Sequence, residues 1–171
     1  IGSNANDILL ISGDNSRASG GEGDDIVTIT PTGIGYDLGL NNSLDGGEGT
    51  DTLSFNVDVG VGNPSLPTPD GVDVDLEAGE LSALSSGDTD QIVRLSNIEN
   101  VVGTEYNDII RDDTGDNILT GSGGADIFVF ADHDDVGKRD IITDFEVGVD
   151  QIDLSNSEID NWLDLNRSGD D

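Results

Sequence analysis

Aspartate recurs at a fixed interval in two stretches of this sequence, each time at the end of a largely polar segment that begins with glycine. Asp7 and Asp25 lie 18 residues apart, and so do Asp108 and Asp126. Short carboxylates beside flexible backbone supply the oxygen ligands that a hard divalent cation such as Ca²⁺ requires. The first chemistry that the spacing indicates is therefore cation binding.

These aspartates belong to a repeated nonapeptide. Three copies follow one another without a gap over residues 103–129. Five further copies keep the same frame: residues 2–10, 11–19, 20–28, 37–45 and 46–54. In most copies six small or polar residues precede three residues centred on an apolar eighth place, although the copy at 11–19 is degenerate. A series of this length indicates an internal repeat, whereas a single copy would be weak evidence for a site.

Each nonapeptide predicts a turn followed by a short strand. Glycine permits positive φ in the turn and lets carbonyl oxygens converge, and the apolar residue of the strand faces inward. Two nonapeptides complete a coil of 18 residues, so each turn stacks on the turn 18 residues away. Two stacked aspartates can then hold one ion, with backbone carbonyls completing its oxygen shell. Because such a coil buries little apolar surface, the stack and its ions must supply stability together.

Composition supports a bound cation and excludes several other classes of function. Asp and Glu number 37 against six Lys and Arg, which gives a net charge of −31, and only 33% of residues are hydrophobic. From composition alone, an acidic disordered segment is the alternative. Nucleic acid is excluded as a partner because its phosphates would meet like charge. The absence of Cys excludes disulfides, thiolate metal sites and a cysteine nucleophile, and no apolar run is long enough to span a membrane.

The repeats resemble the Gly-Gly-x-Gly-x-Asp-x-aliphatic-x motif of the repeats-in-toxin (RTX) family. Residues 95–108 are similar to the segment that leads into many RTX blocks, and stretches within 126–155 are similar to the one that closes them. The resemblance implies an all-β fold, a right-handed parallel β-roll (β-helix) with an irregular insert and a short C-terminal cap. It also implies a secreted protein, extracellular or at the cell surface, exported by the type I secretion machinery of Gram-negative bacteria.

The resemblance assigns calcium ligands residue by residue. The sixth-place side chains that match the family's ligands are Asp7, Asp25, Asp51, Asp108 and Asp126. The glycines that match its turn positions, whose carbonyls can contribute, are Gly2, Gly20, Gly21, Gly23, Gly46, Gly47, Gly49, Gly103, Gly121, Gly123 and Gly124. Asn42 and Asn117 replace aspartate at the sixth place, which still offers an oxygen but carries less charge. Ser16 replaces it in the second repeat, where we expect an empty turn.

Outside the repeats the assignments are looser. Asp144 and Asp150 lie in the closing segment, where they could hold a terminal ion or equally face solvent. The alternation of Val72–Leu76 predicts a half-buried strand, and residues 155–163 predict a short amphipathic helix that caps the open end of the roll. Since the sequence stops within its pattern at Asp171, we expect it to be part of a longer protein.

The period divides the chain into four parts. They are a first repeat block (1–54), a strand and loop insert that continues the roll (55–102), a second repeat block (103–129), and a closing β segment with its truncated cap (130–171).

The sequence contains no catalytic motif. His133 is the only histidine, and no His-Glu-x-x-His, nucleophile elbow or phosphate loop is present, so we expect no enzyme activity in this fragment. The leading hypothesis is a module that folds on extracellular Ca²⁺ and supports the secretion, folding and stability of a larger exported protein. The alternative is a polysaccharide- or surface-binding module of an RTX adhesin or an alginate-modifying enzyme. That alternative would need bridging Ca²⁺ or a basic patch, for which the candidates are Arg94, Arg111, Lys138 and Arg139.

Overall fold

A computed structural model describes residues 1–29, 41–55, 71–84, 92–130 and 138–155 of the chain. Fourteen β-strands and no helix lie within these residues. The strands are β1 (Ile8–Ile11), β2 (Arg17–Glu22), β3 (Ile26–Ile29), β4 (Ser43–Glu48), β5 (Thr52–Ser54), β6 (Val72–Asp75), β7 (Glu80–Ala83), β8 (Val93–Ser96), β9 (Asn100–Val102), β10 (Ile109–Arg111), β11 (Ile118–Thr120), β12 (Ile127–Val129), β13 (Ile141–Ile142) and β14 (Gln151–Asp153).

The strands form two sheets between which the chain passes back and forth. The six-stranded sheet has the order β1-β3-β5-β9-β11-β13, and all its pairings are parallel. The eight-stranded sheet has the order β14-β12-β10-β6-β7-β8-β4-β2. Because consecutive strands of each repeat block alternate between the two sheets, the chain winds as a coil. The predicted parallel β-roll is confirmed.

Apolar eighth-place residues fill the space between the sheets. Val27, Leu53, Ile110, Leu119 and Phe128 each occupy the centre of a nonapeptide strand, and each is fully buried. Their inward orientation follows from the two-residue period of a strand, which sends the flanking residues to the outer face. Each nonapeptide strand therefore contributes its eighth-place side chain to the core, as the repeat predicts, and further buried residues such as Ile29, Val72 and Val74 add to it.

The insert adds an antiparallel hairpin to the eight-stranded sheet. β6 pairs with β7 and β7 with β8 in antiparallel register, whereas β6 pairs in parallel with β10. Strand β6 is the one that the alternation of Val72–Leu76 predicts; β7 has no comparable signal. Two salt bridges hold the hairpin to its neighbours, Arg94 with Glu80 and Arg111 with Asp73.

Two strands are longer than the nonapeptide predicts. β2 and β4 continue through the first three places of the following repeat, so Gly20, Gly21, Gly46 and Gly47 lie at strand ends and the turn proper is shorter. The predicted helix at 155–163 lies almost wholly outside the described residues, as does His133. Within the described ranges, no helix is long and apolar enough to cross a membrane.

Candidate metal centre

The turns stack along the two edges of the roll. Row A is the set of turns that enter the six-stranded sheet, and its described members end at Asp7, Asp25, Asp51, Glu99, Asn117 and Asp140. Row B is the set of turns that enter the parallel strands of the eight-stranded sheet, and its members in the repeat blocks and the closing segment end at Ser16, Asn42, Asp108, Asp126 and Asp150. Each of these last residues directly precedes a strand, and within the repeat blocks it is the sixth place of a nonapeptide.

A ladder of hydrogen bonds connects the sixth places of row A. The backbone N–H of Asp7 donates to Asp25 Oδ1 at 2.7 Å, and the N–H of Asp25 donates to Asp51 Oδ1 at 2.7 Å. The predicted pairing of Asp7 with Asp25 is thus present as a contact. Asp25 and Asp51 are 26 residues apart in sequence, because the break at 29–36 lies between them, and they stack nonetheless.

Row B has the same ladder. The N–H of Asp108 donates to Asp126 Oδ1 at 2.8 Å, and the N–H of Asp126 donates to Asp150 Oδ1 at 3.1 Å. The N–H of Val72 donates to Asp108 Oδ1 at 2.7 Å, which joins the insert to the second block. The structure therefore brings the predicted pair Asp108 and Asp126 together and adds Asp150 to the same series.

Two ladder carboxylates each keep one oxygen without a hydrogen bond. Asp25 and Asp51 are buried, and the Oδ2 atom of each has no hydrogen-bond partner. An ideal Cβ placed on Gly20 would overlap both Asp25 Oδ2 and the carbonyl oxygen of Gly46. These two oxygens therefore border the same small space, which the missing side chain of Gly20 leaves open.

The same approach of a carbonyl oxygen to a sixth-place carboxylate recurs elsewhere in both rows, although Asp7 Oδ2 and Asp108 Oδ2 each also accept a backbone N–H at 2.6 Å. A Cβ on Gly2 would overlap the Gly20 carbonyl oxygen and approach Asp7 Oδ2 at 2.9 Å. A Cβ on Gly103 would overlap Asp108 Oδ2 and lie 2.7 Å from the Gly121 carbonyl oxygen. A first-place glycine thus faces its own sixth-place carboxylate and a carbonyl of the next coil, which is the donor set that calcium prefers.

The second- and fourth-place glycines serve the turn by their backbone conformation. Gly21 and Gly47 both have φ of +112°, and a Cβ on Gly47 would overlap the carbonyl oxygen of Gly21 in the coil below. A residue with a side chain would be strained there and would also collide with the stack. Gly23, Gly49 and Gly124 have positive φ as well.

Burial makes the carboxylates unfavourable as isolated charges. Desolvation raises the pKa of Asp108 and of Asp126 to about 6, although backbone N–H groups bonded to each carboxylate act in the opposite direction. Desolvation also raises the pKa of Asp51 and of Glu99. A cation among these groups would favour their charged forms.

The donor set fits calcium only if the backbone takes part. Within the described residues, no three or more Asp, Glu, His or Cys side chains lie close enough together to hold an ion by themselves. Paired carboxylates and facing carbonyl oxygens, without nitrogen or sulfur ligands, suit a hard ion of variable coordination. The residues present therefore fit calcium, with carbonyl oxygens of the turns as part of the shell.

Asn42 and Asp144, two further residues that the sequence predicts as ligands, also lie in the stacked turns, but their side chains form different hydrogen bonds from those of the stacked aspartates. Asn42 Oδ1 accepts the N–H of Ser16 at 2.7 Å, which is the ladder bond, and its Nδ2 donates to the Gly13 carbonyl at 2.8 Å. Asp144 lies in the closing turn of row B, where its carboxylate accepts the N–H groups of Gly121 and Ser122.

Row A continues beyond the insert with Glu99, Asn117 and Asp140, of which the sequence predicts only Asn117 as a ligand. The N–H of Asp51 donates to Glu99 Oε2 at 2.7 Å, and the N–H of Asn117 donates to Asp140 Oδ1 at 2.9 Å. Glu99 and Asp140 were not predicted as site residues. The frame could have found Glu99, because counting back nine residues from the repeat 103–111 puts Glu99 at the sixth place and Val101 at the eighth, although Arg94–Ser96 lie in strand β8.

Comparison with known proteins adds one match. A family model described as Peptidase M10 serralysin C terminal matches residues 4–166, which is nearly the whole chain. A search of curated proteins finds no match.

Proposed function

Because the chain belongs to the serralysin C-terminal family, a non-catalytic RTX repeat domain that binds calcium in secreted proteins, we propose that extracellular Ca²⁺ drives its folding. We further propose that the folded roll supports the secretion, folding and stability of a larger exported protein.

The observation that carries this proposal is the pair of buried oxygens without partners, Asp25 Oδ2 and Asp51 Oδ2. An ionised carboxylate removed from water without compensation costs several kcal/mol or more. The ladder satisfies the first oxygen of each side chain and leaves the second one facing a carbonyl. A divalent cation between these groups would compensate both, which makes the folded state dependent on calcium.

The proposed ligands follow the stacked turns. Asp7, Asp25 and Asp51 would supply carboxylate oxygens in row A, and Asp108 and Asp126 would supply them in row B, together with the carbonyls of the first-place glycines. Bound calcium supplies positive charge that cross-links successive turns. Sites of this kind in extracellular modules have dissociation constants of roughly 10⁻⁴ to 10⁻³ M.

Secretion fits the same dependence on calcium. Where free Ca²⁺ is scarce, the net charge of −31 keeps the chain extended, which suits passage through the channel of a type I secretion system. Outside a Gram-negative cell, millimolar Ca²⁺ would fill the turns and drive folding at the point of release. One site filled at several times its dissociation constant adds only about 1 kcal/mol, so the response depends on several coupled sites.

Polysaccharide or surface binding remains an untested prediction, and the contacts weaken the basis for it. Of the four cations proposed for a basic patch, Arg94 is paired with Glu80 and Arg111 with Asp73. Those two charges are therefore neutralised within the eight-stranded sheet. An adhesin role has no independent support in the described residues.

A calcium titration of chelator-treated protein tests the proposed function. Far-UV circular dichroism should show a cooperative gain of β signal near millimolar Ca²⁺, and the same concentrations of Mg²⁺ should give no gain. A chain that is fully folded in chelator, or that responds equally to both ions, would contradict calcium-driven folding.

A further inference from the structure

The insert interrupts the sequence repeat but does not interrupt row A. Strand β5 pairs with β9 so that Thr52 lies opposite Asn100, just as Ile26 lies opposite Thr52 in the preceding coil. Asp51 and Glu99 directly precede these paired residues and therefore occupy equivalent places in adjacent coils. They are 48 residues apart in sequence, against 18 for a regular pair.

The oxygens of this junction repeat the arrangement of the regular turns. A Cβ on Gly46 would overlap the carbonyl oxygen of Asn97 and would lie 2.5 Å from Asp51 Oδ2. Asn97 thus takes the place that a first-place glycine holds in the next coil, and its φ of +51° gives it a backbone conformation that asparagine tolerates. Asp51 Oδ2 is the buried oxygen without a hydrogen-bond partner.

Glu99 brings a second carboxylate to the same place. Its Oε2 accepts the N–H of Asp51 at 2.7 Å, which fixes the carboxylate beside Asp51. Glutamate is one methylene longer than the aspartate of a regular nonapeptide. The extra length lets the carboxylate reach Asp51 from a turn, residues 97–99, that contains no glycine.

We infer that Asp51, Glu99 and the carbonyl of Asn97 form a calcium site that bridges the insert. The inference rests on the proposed calcium-dependent folding, and it extends the row of sites to a turn that lacks the nonapeptide motif. An ion there cross-links the first repeat block to the segment that leads into the second one. Forming this coil closes the whole chain between residues 51 and 99, so the site contributes the long-range contact that joins the two blocks.

Charge-matched variants test this site in solution. Glu99→Gln keeps an oxygen that can accept the Asp51 N–H but removes the charge, and Glu48→Gln removes the same charge from an exposed side chain of row A. Equilibrium dialysis should find one calcium ion fewer per chain for E99Q than for wild type and E48Q. The calcium midpoint of the circular dichroism signal should rise at least about threefold for E99Q alone, because fewer charged ligands weaken a calcium site.

The outcomes separate this inference from the proposed function. If wild type binds calcium and folds while E99Q retains the wild-type ion count and midpoint, the bridging site is wrong and the proposed function stands. If wild type binds no calcium, the proposed function itself fails.

A second measurement avoids any variant that fails to fold. Wild-type crystals grown with Ca²⁺ and exchanged into Tb³⁺ should show an anomalous scattering peak between Asp51 Oδ2 and the Asn97 carbonyl oxygen. Peaks in the regular turns without one at this junction would overturn the inference.

Discussion

At the scale of single residues, asparagine and aspartate at the sixth place make different contacts. Asn42 Nδ2 donates to the Gly13 carbonyl at 2.8 Å, and Asn117 Nδ2 donates to the Glu99 carbonyl at 2.8 Å. The corresponding oxygen of Asp25 and of Asp51 has no partner. An amide nitrogen can therefore donate a hydrogen bond directly to a carbonyl oxygen of a neighbouring coil. A carboxylate oxygen is an acceptor, so it needs a cation between itself and the carbonyl oxygen. Calcium binding at Asn42 and Asn117, which the sequence predicts, remains a prediction.

Asn117→Asp should convert a directly bonded turn into one that depends on calcium. The variant loses the donor to the Glu99 carbonyl and gains a carboxylate oxygen, so we expect a less stable chain at low calcium and one more bound ion at saturation. Equilibrium dialysis and the circular dichroism midpoint measure both effects. Asn15→Asp, an exposed change of equal charge, is the control. Identical ion counts and midpoints for the two variants would refute this expectation.

Acidification should favour the folded roll when calcium is absent. Burial raises the pKa of Asp108 and Asp126 to about 6 in the folded chain, above the value of about 3.9 for an unfolded aspartate. The folded state therefore binds more protons in this window, and its stability is lost as pH rises through about 6. Chelator-treated protein should gain far-UV β signal between about pH 7 and pH 4.

The double variant D108N/D126N should gain less signal on acidification, because it lacks the two groups that take up these protons. The test fails if wild type and the double variant respond to pH alike.

At the scale of the strands, the sequence predicts the regular coils and not the insert. The eighth-place residues Val27, Leu53 and Phe128 are buried as their period predicts, because the two-residue period of a strand turns them inward and the turns fix the register. The antiparallel placement of β7 depends on contacts with β6 and β8 that no local pattern encodes. The spacing of 18 predicts the contact of Asp7 with Asp25, but Glu99 was missed because its turn lacks the glycines that mark the motif.

Gly20→Ala should destabilise the roll through steric overlap with the stack and not through backbone strain. Gly20 does not have positive φ, but a Cβ there would overlap Asp25 Oδ2 and the Gly46 carbonyl oxygen, both within the stack. We expect a loss of about 1–3 kcal/mol or more in the free energy of unfolding at saturating calcium, measured with urea. At Gly123 the nearest atom is the flexible Glu105 carboxylate at 3.2 Å, so Gly123→Ala should change the same quantity by less than about 1 kcal/mol. Equal losses at both positions would contradict the close approach at Gly20.

The two salt bridges of the insert should differ in strength. The side chains of Arg111 and Asp73 are 33% and 25% exposed, whereas those of Arg94 and Glu80 are 62% and 40% exposed. Because water screens exposed pairs, a double-mutant cycle to alanine should give a coupling energy of about 0.5–1 kcal/mol for Arg111–Asp73 and less for Arg94–Glu80. Urea unfolding at saturating calcium measures both cycles. The reverse order would show that burial does not set the strength of these pairs.

At the scale of the whole molecule, charge and a thin core act against folding without an ion. The net charge of −31 repels itself in any compact state, and the buried apolar residues form a single layer between two sheets. A composition that would otherwise indicate disorder is therefore compatible with a folded roll, provided that cations bind as the coil forms.

The change in size should be large. Small-angle scattering of chelator-treated protein should give a radius of gyration near roughly 44 Å, the scaling value for an unfolded chain of this length. Addition of calcium should reduce it towards roughly 16 Å, or somewhat more for an elongated roll. Sodium chloride at the same ionic strength is the control, since screening alone should contract the chain only in part. Full compaction by sodium chloride would show that screening, and not site binding, is sufficient.

Between β1 and β9, the two edges of the roll differ in how much chain they accommodate. The long connections 30–42 and 55–71 both leave the six-stranded sheet and enter the eight-stranded one, while the neighbouring row A connections 23–25 and 49–51 stay short. Strand pairing of β3, β5 and β9 continues in register past both interruptions. In this part of the roll, the row B edge is therefore the place for protein engineering to graft a foreign loop or binding peptide, displayed on one side of a scaffold whose opposite edge keeps its stacked carboxylates.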